Sequence, residues 1–499
     1  KGRAVSREHS ESGLAPVAAV VVLAAGGGTR MKSSKSKLLH EGSGKPMLSY
    51  DDRAAAALDP GSLVVVVGHQ RDQVEAHLDQ LSERVTTAVQ DQQLGTGHAV
   101  LCGLKDLTDI EGDVVVTYAD VPMLSGDTLR QLVAVHRARA NVVTVLTAEV
   151  EDATGYGRVL REGEKVVGIV EDKDATEEQR AIGEINSGIY VFDAHLLREG
   201  LAQLGTDNAQ GEMYLTDVLH YAHSQGLNVG GCRTDDVWQT MGVNDRVQLA
   251  RMSHEMNRRI LDSWMLKGVT MVDPGSTWID IDVDLARDVT LMPGVILQGA
   301  TTVGEGAIIG PDTSLMDVEV GPGAEVVRSH GSFAVIGKDA SVGPFSYLRP
   351  GAELGEGSKV GAFVEVKKAI IGKGSKVPHL TYCGDAVIGE GVNIGAGTIF
   401  ANYDGVNKSA THVGDNAFVG SNSVLVAPVD IAPGAFVAAG STITDDIGAG
   451  DLAVARGRQR NIEGWVGNRR PESAAARSAE SHDGSIHPAV AESRAKKKA

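Results

Sequence analysis

The hydrophobic pattern divides the chain into two parts of different character. From about residue 17 to residue 243, β-branched runs alternate with amphipathic stretches. The runs read VAAVVVL, SLVVVVG, GDVVVTYAD, NVVTVLTAEV and GIYVF. Buried strands separated by helices predict an α/β domain over residues 16–243, with a mostly parallel sheet covered on both faces. Because sites in such folds lie at the carboxyl ends of strands, candidate chemistry should follow these runs.

A single helix is predicted between the two parts, over residues 244–268. Gly268 suits its end, because glycine readily adopts the left-handed conformation that closes helices. Its apolar positions follow the helical period with charges between them, namely Val247, Leu249, Met252, Met256, Ile260 and Trp264. We interpret this segment as a linker helix.

Beyond the helix, over residues 269–466, aliphatic residues recur at every sixth position. The three registers are Ile279, Leu285, Leu291, Leu297, Val303, Ile309 and Leu315; Ile336, Val342, Leu348, Leu354, Val360 and Val366; and Val413, Val419, Leu425, Ile431, Val437 and Ile443. A six-residue period predicts a parallel β-helix whose aliphatic side chains stack inward and whose small residues turn the corners. The register breaks at residues 331–333, 383–385 and 401–412, where we expect loops.

Composition agrees with this division and excludes some partners. A chain of 499 residues suggests two to four domains, and 61 glycines with only 4% aromatics fit a solenoid with many tight turns. The formal charge of −18 argues against binding nucleic acid or an anionic membrane. The apolar run at residues 17–25 is too short to span a membrane. Three cysteines without CxxC spacing favour a reducing compartment, the cytoplasm.

Both ends of the chain are expected to lack a packed core. Residues 1–15 are polar with mixed charge, and we expect them to be flexible. Residues 467–499 are rich in Ser, Ala, Glu and Arg and end in KKKA. They contain too little apolar surface to offset the entropy of ordering, which predicts a disordered tail.

Candidate phosphate chemistry follows the first strand. In LAAGGGTRM, residues 23–31, glycines let backbone amides approach phosphate oxygens, and Arg30 with Lys37 adds positive charge. The spacing matches neither the Rossmann fingerprint nor a Walker loop, and a simple tight turn is the alternative.

Two further segments add to this picture. QDQQLGTGHA, residues 90–99, offers an amide and a glycine turn that suit a pyrimidine ring, whose imide edge needs a donor and an acceptor. Asp120 ends the run VVVTYAD, where a carboxylate can meet a phosphate-bound divalent metal. A plain turn or cap residue is the alternative for Asp120.

These segments, with GYGR at 155–158, Glu171, INSG at 185–188, YLTD at 214–217 and GVND at 242–245, resemble one bacterial family. It is that of the bifunctional N-acetylglucosamine-1-phosphate uridylyltransferases/glucosamine-1-phosphate acetyltransferases. The similarity covers residues 17–465 in one order. It implies a Rossmann-like nucleotidyltransferase domain, a linker helix and a left-handed parallel β-helix. The implied substrates are glucosamine-1-phosphate, acetyl-CoA, UTP and N-acetylglucosamine-1-phosphate.

The resemblance also implies roles for residues of the first domain. UTP and the sugar nucleotide would be held by Leu23, Ala24, Ala25, Gly26, Arg30, Lys37, Gln90, Gly95, Thr96, Gly157, Glu171, Asn186, Thr216 and Asn244. Asp120 and Asn244 would hold Mg2+. The sugar phosphate would attack the α-phosphorus of UTP while the enzyme positions and neutralises charge. Two residues depart from the family pattern, Ala119 before the aspartate and Ser36 before the lysine.

On the solenoid, a few polar residues stand among aliphatic and small ones. Arg349 and Lys367 form a cationic pair suited to a sugar phosphate. His379 suits a general base near neutral pH, with Tyr382 close to it in sequence. Without other information, the two cations would be solvated surface charges and His379 a structural residue.

The resemblance places an acetyltransferase site here, with His379 as the base that deprotonates the amine. The sugar phosphate would be bound by Arg349, Lys367, Tyr382 and Asn393. The acetyl-CoA groove would be lined by Ala396, Asn402, Tyr403, Ser421, Ala439 and Arg456. It also implies a homotrimer with sites between subunits, and Trp465 would pack on a neighbouring subunit or cap the solenoid end.

Two alternatives remain open at this point. The first is a single-activity sugar nucleotidyltransferase whose β-helix serves only assembly or regulation. The second is a non-enzymatic scaffold, which leaves Asp120, Asn244, Lys37 and the glycine loop without a role. A separate hypothesis is that Cys383, next to Tyr382, lets thiol reagents inhibit the second site.

Overall fold

The computed structural model describes residues 15–81 and 85–496. Residues 1–14 of the expected flexible segment lie outside the described residues. The strands of the first domain are β1 (Ala19–Ala24), β2 (Glu41–Gly42), β3 (Lys45–Pro46), β4 (Ser62–Val67), β5 (Val85–Val89), β6 (Asp113–Tyr118), β7 (Val143–Glu149), β8 (Gly157–Glu162), β9 (Lys165–Val170), β10 (Glu184–Asp193) and β11 (Val229–Thr234). Its helices are α1 (Met47–Ala56), α2 (Arg71–Leu81), α3 (Thr96–Leu104), α4 (Gly126–Ala138), α5 (Glu177–Arg180), α6 (Ala194–Leu201) and α7 (Thr216–Ser224).

The main sheet has the strand order β11-β7-β10-β6-β1-β4-β5, with the β8–β9 hairpin attached to β10. The five predicted strand runs all lie in it. Side chains alternate between cores on its two faces: Val21 packs on one side, and Val20 and Val22 on the other. The sheet is less parallel than the pattern suggests, because β10 runs antiparallel to both β6 and β7. Near its start, at Ile185 and Asn186, β10 also pairs antiparallel with β8.

The linker helix is α8 (Arg246–Leu266), close to its predicted bounds. Asp245 caps it by accepting hydrogen bonds from two backbone amides of the first turn. Asn257, buried in the middle of α8, donates to Thr277 O (2.8 Å) and accepts from Ile279 N (3.0 Å). This amide satisfies the backbone of the first solenoid coil, so the helix covers that end of the core.

The solenoid strands are β12 (Thr270–Met271), β13 (Trp278–Ile279), β14 (Asp284–Leu285), β15 (Thr290–Leu291), β16 (Val295–Gln298), β17 (Thr302–Val303), β18 (Ile308–Ile309), β19 (Thr313–Met316), β20 (Glu319–Val320), β21 (Glu325–Val326), β22 (His330–Ser332), β23 (Val335–Ile336), β24 (Ser341–Val342), β25 (Tyr347–Leu348), β26 (Ala352–Leu354), β27 (Lys359–Ala362), β28 (Glu365–Ile371), β29 (Lys376–His379), β30 (Tyr382–Ile388), β31 (Asn393–Ile394), β32 (Ile399–Ala401), β33 (Thr411–Val413), β34 (Phe418–Val419), β35 (Val424–Val426), β36 (Val429–Ile431), β37 (Phe436–Val437), β38 (Thr442–Ile443) and β39 (Leu452–Ala453). Their pairings are parallel, and all three predicted aliphatic registers point into one buried core. The parallel β-helix is confirmed.

Two of the three expected loops are absent from the solenoid. Gly331 takes an inward position between Leu315 and Leu348, and Cys383 lies inside β30 beside Val366. A small side chain therefore replaces an aliphatic one without interrupting the strand. Only the break at residues 401–412 forms a loop, between β32 and β33.

Residues 467–496 of the tail contain helices where the sequence predicted disorder, and residues 497–499 lie outside the described residues. The helices are α9 (Trp465–Arg469), α10 (Ala474–Glu480) and α11 (Pro488–Lys496). Ser473 caps α10 by accepting a hydrogen bond from Ala476 N (3.1 Å), and Ala, Glu and Arg favour helix locally. The low apolar content has its expected effect on packing, since Ala476 is the one buried residue of these three helices.

The β2–β3 hairpin connects the two domains. Ile281 N donates to Ser43 O (3.0 Å), and Lys45 pairs with Asp282 (2.9 Å). The hairpin follows Lys37 by only a few residues. The hairpin that follows this lysine is thereby held against the first coil of the solenoid.

Candidate active sites

Two adjoining pockets open at the carboxyl ends of the central strands of the first domain. The first has a volume of about 260 Å3 and is lined by Leu23, Ala24, Ala25, Gly26, Lys37, Leu38, Gln90, Gln93, Gly95, Thr96, Ala99, Tyr118, Asp120 and Glu212. The second has a volume of about 400 Å3, and it contains the remaining predicted residues of this domain, Arg30, Gly157, Glu171, Asn186, Thr216 and Asn244. Every residue proposed from the sequence for this site therefore borders one of the two pockets.

The pockets meet at a cluster of three polar side chains. Lys37 donates to a carboxylate oxygen of Asp120 and, at 3.3 Å, to the amide oxygen of Asn244. The Lys37 side chain is 9% exposed and that of Asp120 is 18% exposed. Asp120 and Asn244 lie 83 and 207 positions after Lys37 in the chain, yet both contact its ammonium group. The cluster combines one cation with two acceptor oxygens where the pockets join.

Two glycines allow close packing at or beside the first pocket. Gly28 has φ +56°, and a β-carbon there would stand 2.8 Å from Lys37 Cβ. Gly95 has φ +107°, and its β-carbon would stand 2.6 Å from Met213 O. Side chains at either position would both strain the backbone and displace a neighbour. Gln90 fixes the second turn by donating to Gly95 O (3.1 Å).

The second pocket is polar and acidic. Burial, followed by the charges of Asp174, Asp217 and Asp172, raises the pKa of the Glu171 carboxyl. Asn186 Oδ1 accepts hydrogen bonds from Gly188 N (2.9 Å) and Tyr190 OH (2.8 Å). Its amide nitrogen thus faces away from these donors, as a possible donor to a ligand.

Sequence reasoning missed residues that border both pockets. Tyr118 and Glu212 line both, and Gln93 lines the first while donating to Ala25 O (2.8 Å). Tyr118 is the last residue of β6, two positions before Asp120, so its place at the carboxyl end of a strand could have indicated it. Glu212 gives no comparable signal, because it lies in a loop far along the chain.

The two departures from the family pattern fit their surroundings. Ser36 is buried, and its backbone N–H donates to Gln73 Oε1 (2.9 Å), a bond that a proline could not make. Ala119 is fully buried, and its N–H donates to Leu23 O (3.1 Å). Neither substitution removes a group from the Lys37 cluster.

On the solenoid, four candidate residues stack along one corner. Gly397 N donates to His379 O (3.1 Å), Asn422 N to Ala396 O (2.8 Å), and Gly440 N to Ser421 O (2.8 Å). His379, Ala396, Ser421 and Ala439 thus occupy equivalent positions in successive coils. Arg456 continues this corner, since its Cδ lies 3.9 Å from where a β-carbon on Gly440 would stand.

The remaining polar candidates lie on the solenoid face next to the His379 corner and at the opposite corner of that face. Arg349 donates to Glu365 (2.8 Å) and Lys367 to Asp385 (3.0 Å). Asn402 Nδ2 lies 3.4 Å from Tyr382 OH. Both cations already have acidic partners that sequence analysis did not identify.

Three further candidates stand apart from these contacts. Asn393 lies on another face, paired with Lys376, and the structure does not bring it to Arg349 or Lys367. Tyr403 is exposed at the start of the loop, bridged to Lys408. Trp465 is 42% exposed, with the Arg470 guanidinium 5.3 Å from its ring centre.

The hypothesis of a reactive Cys383 is wrong. Its side chain points into the solenoid core and is 0% exposed. Burial raises the pKa of the thiol to about 12, so the thiolate that reacts with electrophiles is scarce at neutral pH.

Comparisons with known proteins agree with the two-part architecture. The Nucleotidyl transferase family model matches residues 19–255, and the bacterial transferase hexapeptide model matches residues 333–368 and 410–445. The chain is 54% identical to the Bifunctional protein GlmU of Kineococcus radiotolerans, over 93% of this chain and 94% of that protein. It is 54% identical to its counterpart in Streptomyces avermitilis, over 93% and 97%. With that of Cutibacterium acnes it shares 63% identity over 71% and 86%. In the described part of the chain, no helix has the length and apolar character of a membrane span.

Proposed function

Because the chain belongs to the bifunctional GlmU family, we propose that it makes UDP-N-acetylglucosamine at two sites. The solenoid acetylates glucosamine-1-phosphate with acetyl-CoA. The N-terminal domain then transfers UMP from UTP to N-acetylglucosamine-1-phosphate and releases pyrophosphate. The observation that carries the uridylyl half is the meeting of two pockets at the cluster of Lys37, Asp120 and Asn244.

The two pockets suit the two substrates of the uridylyl step. The first, with the Gly26 loop and Gln90, takes the nucleotide, and the second, with Glu171 and Asn186, takes the sugar. The α-phosphorus then lies at their junction. A sugar-phosphate oxygen forms the new P–O bond while the bond to pyrophosphate breaks. Lys37 neutralises charge on the phosphates, so the protein contributes positioning and electrostatics and needs no covalent intermediate.

The same junction fits a magnesium ion. The Asp120 carboxylate and the Asn244 amide oxygen both reach the Lys37 ammonium, so the two oxygens lie close together. Magnesium prefers oxygen ligands and commonly takes only one or two from protein, with phosphate oxygens and water completing its shell. When bound, the ion would supply positive charge to the phosphates.

At the second site, His379 accepts a proton from the substrate amine as nitrogen attacks the thioester carbon. The new C–N bond forms, the C–S bond breaks, and the CoA thiolate leaves. Arg349 and Lys367 bind the sugar phosphate, and the corner that carries Ala396, Ser421 and Ala439 receives acetyl-CoA. Arg456 extends that corner with a cation suited to the phosphates of CoA.

We also propose that the chain forms a homotrimer with shared acetyl-transfer sites. The candidate residues lie on the outside of the solenoid, because its interior is filled with aliphatic side chains. Phe345, Phe363 and Leu380 continue the His379 corner and are 53%, 59% and 61% exposed. A second subunit packed here would cover this apolar ladder and enclose His379.

The free thiols of the described cysteines support the cytoplasm as the compartment.

Product analysis tests both activities. The purified protein is given glucosamine-1-phosphate, acetyl-CoA, UTP and Mg2+, with UTP omitted from a parallel reaction. We expect N-acetylglucosamine-1-phosphate without UTP and UDP-N-acetylglucosamine with it, measured by mass spectrometry. His379→Ala should impair only acetylation, and Lys37→Met should impair only uridylylation. If the wild-type chain uridylylates supplied N-acetylglucosamine-1-phosphate but never acetylates the amine, the single-activity alternative is correct.

A further inference from the structure

Asp385 lies at the centre of the polar cluster on the solenoid, although no motif indicates it. Its carboxylate accepts hydrogen bonds from Lys367 Nζ, at 3.0 Å and 3.3 Å to its two oxygens, and from Asn402 Nδ2. The exposed fractions are 12% for the Lys367 side chain and 19% for that of Asp385. Asn402 is 7% exposed. One carboxylate thus holds two residues proposed to contact different substrates.

The chemistry of this carboxylate determines how the Asn402 amide is oriented. An ionised carboxylate can only accept hydrogen bonds, so the NH2 end of the amide must face Asp385. The same nitrogen lies 3.4 Å from Tyr382 OH. The amide oxygen accepts no hydrogen bond from the described residues, so it is left as an acceptor for an N–H group of a substrate.

The backbone is built to bring these groups together. Asp385 has φ +48°, a left-handed conformation that Asp and Asn tolerate better than most residues. The preceding Gly384 leaves space, because a β-carbon there would stand 2.9 Å from Asn402 Nδ2. Contacts with Lys367 and Asn402 lower the pKa of the Asp385 carboxyl, although burial acts against them, so it is ionised at neutral pH.

We propose that Asp385 is a positioning residue of the acetyl-transfer site. It orients Asn402 so that the amide oxygen accepts an N–H, and it fixes the Lys367 ammonium for the substrate phosphate. This inference rests on the proposed acetyltransferase function. The N–H belongs either to the aminosugar or to the pantetheine arm of acetyl-CoA. A higher KM for glucosamine-1-phosphate in the variant below indicates the aminosugar, and a higher KM for acetyl-CoA indicates the pantetheine arm.

The test is steady-state kinetics of acetyl transfer by the full-length chain carrying Asp385→Asn. Asparagine keeps the size and tolerates the backbone conformation, but it can also donate to the Asn402 oxygen, so the orientation is no longer enforced. We expect kcat/KM for acetyl transfer to fall about 10- to 100-fold, the factor associated with one charge-assisted hydrogen bond. Uridylyl transfer by the same preparation should stay unchanged.

A double-mutant cycle separates positioning from general stability. If Asp385 acts partly through Asn402, Asp385→Asn should cost less in the Asn402→Ala background than in wild type. Asp312→Asn is the matched control, since Asp312 also has a left-handed backbone (φ +48°) and a cationic partner, Arg328 at 3.5 Å, but lies away from the cluster. It should leave acetyl transfer unchanged.

Three outcomes would overturn the inference. They are an unchanged kcat/KM in Asp385→Asn, an equal loss in Asp312→Asn, or full additivity with Asn402→Ala. If Asp385→Asn lowers the melting temperature of the solenoid, its kinetics no longer test positioning, and Asn402→Ala becomes the deciding variant. Unaltered acetyl transfer by Asn402→Ala would then refute the positioning role of Asp385. A wild-type chain that never acetylates glucosamine-1-phosphate contradicts the proposed function instead.

Discussion

Replacing Asp51 by valine should stabilise the N-terminal domain. Asp51 lies on the same face of α1 as Leu48 and Ala55, which pack into the core beneath the sheet. It is 1% exposed, and a backbone contact with Val121 does not offset the cost of burying its carboxylate. Burial, followed by the charge of Asp120, raises the pKa of the Asp51 carboxyl well above its usual range. A carboxyl group in this position destabilises the native state.

The magnitude follows from three terms. A buried carboxyl group whose hydrogen bonds are incomplete costs about 1–3 kcal/mol. Burying a valine side chain contributes about 1.5–3 kcal/mol, and fitting a slightly larger group into a packed core costs about 1–3 kcal/mol. The net gain in the free energy of unfolding is roughly 2 kcal/mol near pH 7. For a domain of this size, that corresponds to a melting temperature higher by about 4–8 °C.

The pH dependence distinguishes ionisation from packing. The folded pKa of Asp51 lies above its unfolded value of about 3.9, so the native state retains a proton that the unfolded state releases. Stability therefore falls as pH rises above about 4, up to the folded pKa. Asp51→Asn removes this proton, so its stability relative to wild type should rise between pH 5 and pH 8.

Thermal unfolding by calorimetry at pH 5, 6.5 and 8 measures these differences. Asp207→Asn, at an exposed loop position, is the control and should change the free energy of unfolding by less than about 0.5 kcal/mol. A destabilised Asp51→Val would refute the packing argument. A difference between Asp51→Asn and wild type that does not vary with pH would refute the ionisation argument.

Four further predictions follow from the sites. Lys37→Met should lower kcat for uridylyl transfer about 100- to 1,000-fold and leave acetyl transfer unchanged, measured by pyrophosphate release. Because the pKa of Glu171 is raised, KM for N-acetylglucosamine-1-phosphate should increase as pH falls towards that pKa. Glu171→Gln should remove this pH dependence. A wild-type KM that does not change with pH would contradict the prediction. Phe363→Glu should shift the mass measured by light scattering from trimer to monomer and abolish acetyl but not uridylyl transfer. Cys383→Ala should show the same sensitivity to thiol reagents as wild type, because the thiol is buried.

The sequence predicted which N-terminal candidate residues border the two adjoining pockets, whereas their roles stay predictions. These residues follow strand ends, so a fold that aligns those ends brings them together, as for Gly26 after β1 and Asp120 after β6. The hydrophobic pattern did not predict that an acidic residue of α1 is buried. Asp51 interrupts an apolar helical face, and a hydrophobic pattern alone does not decide whether such a residue faces solvent or core. The β2–β3 hairpin was likewise unpredictable, since its contacts form between domains.

The solenoid shows the opposite balance between position and chemistry. Its corner residues His379, Ala396, Ser421 and Ala439 are 17, 25 and 18 residues apart. Three hexapeptides make one coil of 18 residues. Counting coils places all four in one column once the first interval is taken as one residue short and the second as lengthened by the loop at residues 401–412. No such count identifies Asp385 as the partner of Lys367. The contact depends on the left-handed backbone conformation that Asp385 itself adopts within a strand. A period specifies which backbone positions align, whereas hydrogen bonds between side chains on adjacent coils depend on local geometry that no repeat encodes.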